Sequence, residues 1–214
     1  MTHLQIFVFG DSITYGAWDP EGGWVARLRK YLDKKQLAEP KQFYYMVYNL
    51  GVSGDSSEDV LERFSTEIEQ RFEKDVEALV IFAIGINDAH FFKNVAQAKV
   101  VEKFNVNLKK LTALAHEYTR NILFVGATPV IESKTMPVPW NVAISYDNKQ
   151  ISKDDKLVRE FCKKKNIPFI EVFEDWQTTK YELLLSHDGL HPNSEGHEKI
   201  AEAVKKYLEQ RKRA

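Results

Sequence analysis

The chain has 214 residues, 43% hydrophobic and 29% charged, enough apolar material for one core of ordinary size, so a single domain over residues 1–214 is expected. Its 30 basic and 31 acidic residues leave a formal net charge of -1, which offers no basic field to a nucleic-acid backbone and argues against such a partner. The one cysteine, Cys162, excludes an intramolecular disulfide and a cysteine-rich zinc site, and no segment approaches the roughly 20 apolar residues of a membrane span.

In chain order, residues 4–9 form an apolar run that the strand-rich MTHLQ start enters directly, without the basic and apolar leader of a secretory signal, so a cytoplasmic protein is expected. Residues 44–50, 79–84, 122–125 and 169–172 are further short runs of Val, Ile, Phe and Tyr, several apolar throughout, as suits strands covered on both faces. Between them the period is helical. Trp24 opens WVARLRKYL as a core anchor, and Val101, Phe104, Leu108, Leu111, Ala115 and Tyr118 recur three or four apart on one stripe. The REFCKKK segment places Cys162 at the inner edge of a helix as a small core residue, with Asn166 ending that helix. Ile200, Val204, Tyr207 and Leu208 mark a last helix, capped by Asn193 or Ser194. Thr128–Asn141 carries Pro129, Pro137 and Pro139 and reads as a long loop over the domain. Strand alternating with helix five times predicts an α/β fold with a doubly wound, mostly parallel five-stranded sheet.

Ligands of such sheets bind outside the carboxyl ends of the strands. There the chain places Gly10, Asp11 and Ser12 after the first strand, NLGVSGD with Gly54 and Asp55 after the second, and GIND with Asn87 and Asp88 after the third. A serine hydroxyl needs a base to become a nucleophile, and the best placed is His191 in SHDGLHPNSEG, with Asp188 three residues before it to hold the imidazole. The N–H groups of Ser12 and Gly54 and the amide of Asn87 are candidate donors to an oxyanion. Asp11 and Asp55 read as turn residues rather than acids of a mechanism. His187, adjacent to Asp188, points away if His191 faces the serine, and His90 reads as a solvated loop residue. Phe91, Phe92, Met136 and Trp140 are candidates for an apolar substrate wall.

Taken together, FGDSITYG, NLGVSGD, GIND and DGLHP resemble, in order over Gly10–Pro192, the first, second, third and fifth blocks of the GDSL-type SGNH hydrolase superfamily. The first block carries Ile13 where the family name has leucine. The G-x-S-x-G elbow of α/β-hydrolases is absent from the sequence. That resemblance implies a flavodoxin-like three-layer α/β/α sandwich and an esterase acting through an acyl-enzyme. Ser12 would be the nucleophile, His191 the base oriented by Asp188, and Gly54, Asn87 and the Ser12 amide the oxyanion hole. It implies no obligatory metal or other cofactor, and a small-molecule ester as partner. Short-chain esters, acetylated sugars, lysophospholipids and thioesters all remain open, with a short acyl group on a soluble carrier favoured. Nothing in the sequence fixes an oligomeric state. Two competitors stand beside this reading. One is a metal-dependent phosphohydrolase built from Asp11, Asn87, Asp88, His187, Asp188 and His191; the other is a non-catalytic binding module on the same fold.

Overall fold

A computed structural model describes residues 2–92 and 97–211. Its central sheet holds β1 (Thr2–Gly10), β2 (Phe43–Gly51) and β3 (Glu77–Ala83). A two-residue strand β4 (Phe91–Phe92) precedes β5 (Ile122–Val125), and β6 (Ile144–Ser145) precedes β7 (Phe169–Ile170). The sheet runs in the order β2-β1-β3-β5-β7 with every neighbouring pair parallel. The helices are α1 (Ser12–Tyr15), α2 (Gly23–Ala38), α3 (Ser57–Glu69), α4 (Gln97–Tyr118), α5 (Glu132–Thr135), α6 (Asn148–Lys165), α7 (Phe173–Gln177) and α8 (Ser194–Arg211).

Side chains alternate across each strand, and the sheet divides its apolar residues accordingly. Leu4, Ile6 and Val8, Leu79 and Ile81, and Leu123 and Val125 face one side, where Trp24, Leu28, Ile200 and Val204 of α2 and α8 cover them. Phe7 and Phe9, Val80 and Phe82, and Ile122 and Phe124 face the other, under Phe64 of α3, Phe104 and Leu108 of α4, and Phe161 of α6. Because both faces are buried, the strands are apolar throughout rather than alternating, the pattern expected of a parallel sheet between two helical layers. The fold is therefore the expected α/β/α sandwich. Cys162 is buried in the second of these clusters, and burial pushes its thiol up to about 12.

The sheet register brings the site together. Gly10 pairs with Gly51 on one side and with Ala83 on the other, so β1, β2 and β3 end level with one another at their carboxyl edge. Glycine is required there: a Cβ on Gly10 would meet the Thr14 hydroxyl at 2.2 Å and one on Gly51 would meet the Tyr15 nitrogen at 2.3 Å. Without side chains at these positions, α1 folds directly back onto the strand ends.

Two expectations need correction. Ile84 and residues 171–172 lie outside the strands, and Thr128–Asn141 is not wholly irregular, since Glu132–Thr135 makes one helical turn. Thr135 is buried and its hydroxyl donates to the Tyr146 carbonyl at 2.9 Å, which fastens that turn to the following segment. The antiparallel pairing of Phe92 with Ile144 has no sequence signal, because two-residue strands are too short for periodicity.

Several carboxylates are buried in the helical layers and behind the strand ends. Burial raises Asp154 on α6 to about 6, and the Gln150 amide, donating at 3.0 and 3.1 Å, offsets this only in part. An acid whose folded pKa lies above its unfolded value stabilises the fold while protonated. That advantage is lost as pH rises from 3.8 towards about 6. Asp154→Asn keeps the shape and an acceptor for Gln150, so it should stabilise the protein near neutrality by on the order of 2 kcal/mol. The gain should shrink towards zero by about pH 4 as the parent carboxyl protonates. Urea unfolding at the two pH values measures this, and an Asn variant less stable near neutrality would contradict it.

Candidate active site

Ser12 follows β1 by two residues and opens α1. Asp11 is the N-cap: its carboxylate accepts the Ile13 N–H at 2.8 Å, fixing the turn that turns the serine outward. Burial raises the Asp11 carboxyl to about 6, against the lowering effects of that N–H and of the nearby His191. The turn role expected for Asp11 is what the structure shows. Among the described residues, the Ser12 N–H donates to no protein acceptor, as befits the first turn of a helix.

The histidine arrives from the other end of the chain. An isolated bridge joins Leu185 to Pro192, and the Ser186 N–H donates to the His191 carbonyl at 2.7 Å, closing a tight loop before α8. Inside it the Asp188 carboxylate accepts the Ser186 hydroxyl at 2.7 Å and the Leu190 and His191 N–H groups at 2.9 and 3.0 Å. Its other oxygen lies 2.6 Å from His191 Nδ1. Burial opposes ionisation of Asp188, but the His191 contact and these donors win, holding its carboxyl far below the usual range. On the far side of the ring, His191 Nε2 lies 2.8 Å from Ser12 Oγ across 179 positions of sequence. Asn193 caps α8 by accepting the Glu195 and Gly196 N–H groups, so the helix start fixes the histidine loop.

Gly54 is exposed with φ +89, and a Cβ there would meet nothing within 4 Å. The left-handed backbone alone accounts for glycine at this position. The Asp55 carboxylate pairs with Arg63 Nε at 2.6 Å, and Arg63 also donates to the Leu50 carbonyl at 2.8 Å and the Gly10 carbonyl at 3.2 Å. Asn87 is buried, with Nδ2 donating to the Asp55 carbonyl at 2.9 Å and Oδ1 accepting the Tyr146 hydroxyl at 2.8 Å. These two bonds fix which end of the amide is the donor and leave its second N–H uncommitted. Asp88 does separate work, accepting the Ser57 N–H at 2.9 Å and the Ser57 hydroxyl at 2.5 Å and so tying the start of α3 to the GIND turn.

Ser12, Gly54, Asn87, Tyr146 and His191 line one open cavity of about 950 Å³. Trp140 and Trp18 line it as well, whereas Met136 is exposed outside the lining. The side chains of Phe91 and Phe92, both named as wall candidates, lie outside the described residues. His187 is exposed beside the Trp18 ring rather than facing the serine. His90 is half-buried with Nδ1 against the Asn87 carbonyl, a correction to its reading as a solvated loop residue. Tyr146 and Trp18 were not singled out as site residues in the sequence. Tyr146 follows the proline-rich loop without a motif, and no pattern marks Trp18 as the bulky residue holding φ +64.

Among the described residues, no group of three or more His, Cys, Asp or Glu side chains converges as a metal ion would need. The residues named for a two-metal site are instead divided between helix caps, the Asn87 contacts and the His191 pair.

The model of GDSL-like lipase/acylhydrolases matches residues 6–204. The chain belongs to this family. It is an ester hydrolase of the GDSL and SGNH type. The chain is 26% identical over 210 residues to the uncharacterized Bacillus subtilis protein YpmR, spanning 94% of this chain and 80% of that one. A lipase/acylhydrolase from Enterococcus faecalis superposes with a TM-score of 0.74 at 23% identity, covering 99% of this chain and 97% of its own. The acetylxylan esterase Axe2 from Geobacillus stearothermophilus gives 0.69 at 19% identity, covering 94% and 91%. A G-D-S-L lipolytic protein from Veillonella parvula gives 0.68 at 16%, covering 95% and 97%. At these identities the structural likeness shows the shared fold. Among the described residues no helix of this GDSL-family chain is long and apolar enough to cross a membrane.

The contact between Tyr146 and Asn87 yields a prediction about this ester hydrolase. Tyr146→Phe removes the hydroxyl that orients the Asn87 amide and leaves the buried ring in place. If the amide acts on the reacting ester, kcat should fall by about tenfold with KM little changed. Steady-state kinetics on a short-chain p-nitrophenyl ester measures this, and an unchanged melting transition in the variant separates it from a general loss of structure, which would lower apparent kcat through a smaller folded fraction.

Proposed function

We propose that the protein hydrolyses short-chain acyl or acetyl esters through a covalent acyl-enzyme on Ser12. The observation that carries this reading is the continuous contact from Asp188 through His191 to Ser12, with separations of 2.6 and 2.8 Å. Both lie within hydrogen-bond reach, the first orienting the imidazole and the second open to proton transfer.

In this mechanism Nδ1–H of His191 donates to the ionised Asp188 carboxylate, which leaves the Nε2 lone pair facing the serine. Ser12 Oγ attacks the ester carbonyl carbon while its proton passes to Nε2, and the carbonyl π pair moves onto oxygen. The Ser12 and Gly54 N–H groups and the second N–H of Asn87 receive that oxyanion. Collapse of the tetrahedral adduct restores the carbonyl, breaks the bond to the alcohol oxygen and hands that oxygen the Nε2 proton. Water then attacks the acyl-Ser12 carbonyl with His191 again as base, and the carboxylic acid leaves as Ser12 regains its hydrogen. Asp188 remains ionised throughout, consistent with the depression of its pKa. The Axe2 relative, named as an acetylxylan esterase, supports an acetyl ester as one substrate class.

A serine-directed phosphonate should label the parent at Ser12 and fail to label Ser12→Ala, which should have lost turnover while keeping its melting transition. Full activity in Ser12→Ala rejects the nucleophile. Asn87→Ala should lose about a hundredfold to a thousandfold in kcat if its amide is an oxyanion donor, and kcat/KM measurements on p-nitrophenyl acetate test this.

A further inference from the structure

We propose that Trp18 and Trp140 form a clamp for the alcohol half of the substrate and select a neutral, ring-bearing alcohol. This rests on the acyl-enzyme reading above, because that reading places the leaving oxygen at His191 Nε2.

The two sides of the cavity differ in chemistry. Gly54, Asn87 and Tyr146 supply the polar side, around the position of the carbonyl oxygen. The His191 side is aromatic: the Trp18 and Trp140 rings lie 6.1 and 6.5 Å from the imidazole between centroids, at interplanar angles of 89° and 35°. Since His191 must protonate the departing alkoxide, whatever is attached to that oxygen lies within reach of these rings. Both tryptophans line the cavity yet are 63% and 56% exposed, so neither is consumed by the core.

Trp18 is also held at some cost. Its φ of +64 is a conformation that a bulky residue adopts only when the surroundings impose it. Its ring packs beside His187 and His191, but its N–H gains no strong hydrogen bond in return. The indole N–H lies 3.1 Å from His191 Nδ1, but the shorter contact of that nitrogen to Asp188 claims the Nδ1 hydrogen and leaves no lone pair for the indole. A strained and exposed ring beside the base, its N–H without a good acceptor, gains its return from a ligand, and indole faces stack on flat or axially hydrogenated rings.

The lining also indicates charge. Among the described residues the cavity wall carries no lysine or arginine. Asp19, the one acid there, is committed to Arg27, the Gly23 N–H at 2.9 Å and the Ser194 hydroxyl at 2.6 Å. Among the described residues a phosphate or carboxylate on the alcohol would find no lysine or arginine to pair with, which favours a neutral ring, either aryl or pyranose.

The test compares benzyl acetate, a monoacetylated methyl pyranoside, n-butyl acetate and n-butyl phenylacetate on the parent, Trp18→Gly and Trp140→Ala. The ratio of kcat/KM for the ring alcohols to that for n-butyl acetate should fall by about tenfold in each variant. Whichever ring ester loses more identifies the aryl or sugar class. An unchanged ratio overturns the clamp, and so does a loss confined to n-butyl phenylacetate, which would put the ring on the acyl side. Glycine accepts the backbone of position 18 without strain, so Trp18→Gly should melt with the parent. If it does not, Trp18→Asn, tolerant of the same backbone region, replaces it. Phosphonate labelling of the parent separates the two levels: no label at Ser12 defeats the acyl-enzyme reading and the clamp together, while a labelled parent whose variants keep the ring preference defeats the clamp alone.

Discussion

Everything at the site depends on three parallel strands ending level. With Gly10 opposite both Gly51 and Ala83, the turns after β1, β2 and β3 start from one line and need only two to four residues to reach Ser12, Gly54 and Asn87. A slip of one residue in either pairing would exchange the two faces of a strand. It would bury Phe7 and Phe9 against the wrong helices and carry the turn away with the strand. The buried phenylalanines on α3, α4 and the sheet thus hold the register, and the register holds the polar groups. Packing energy is in this sense the source of the site's geometry.

Polar tethers add to that framework. Arg63 bonds the carbonyls at the ends of β1 and β2 and the Asp55 carboxylate together; the Asp55 backbone carbonyl holds Asn87, and Asn87 in turn holds Tyr146. A second set, in which Asp19 joins Arg27 and Ser194, fastens the loop beyond Ser12 to the start of α8, next to the histidine loop. Its carboxyl is lowered to about 2, burial being outweighed by the Arg27 contact and the Ser194 hydroxyl. The first set holds the strand end that precedes Ser12 and the second the loop that follows it. A group that must move a proton without moving itself benefits from being braced in this way.

Much of this was legible in the sequence, for identifiable reasons. Ser12, Gly54, Asn87, Asp188 and His191 sit in four short segments whose composition departs from what a strand or helix needs, and the rule that ligands gather at strand carboxyl ends places three of the four in one region. Trp24 and the stripe on α4 were visible because periodicity reports burial directly. Tyr146 was not visible, since its role comes from one hydroxyl reaching Asn87 across 59 positions, and such a contact leaves no local pattern. His90 was misjudged for the same reason: its ring packs against that of Tyr146, 5.9 Å away between centroids and distant in sequence. Trp18 stood in plain sight close to Ser12, but its left-handed backbone follows from closure of the loop between Gly16 and Gly23, both themselves at positive φ.

The distribution of buried charge separates parts of the protein that answer to different demands. Asp154 and Asp155 on α6 are raised to about 6 mainly by burial, as are Asp11 and Asp88 at the strand ends. Each makes the fold less stable as pH rises from 3.8 towards about 6. Asp188 and Asp19 have lowered pKa values and act in the opposite sense, since protonating them at low pH removes their hydrogen-bonded charge. Asp11 and Asp88 hold local caps that a neutral acid could hold less well, so their cost is tied to the placement of Ser12 and Asn87. Among the described residues Asp154 accepts hydrogen bonds only from Gln150 on its own helix, and towards Asp88 it contributes only like-charge repulsion. The same physical liability therefore has a structural return at Asp11, Asp88 and Asp155, the last accepting the Ala127 N–H at 2.9 Å just beyond β5, and none at Asp154, which makes the strand ends, rather than the core as a whole, the region where stability has been given up for placement of polar groups.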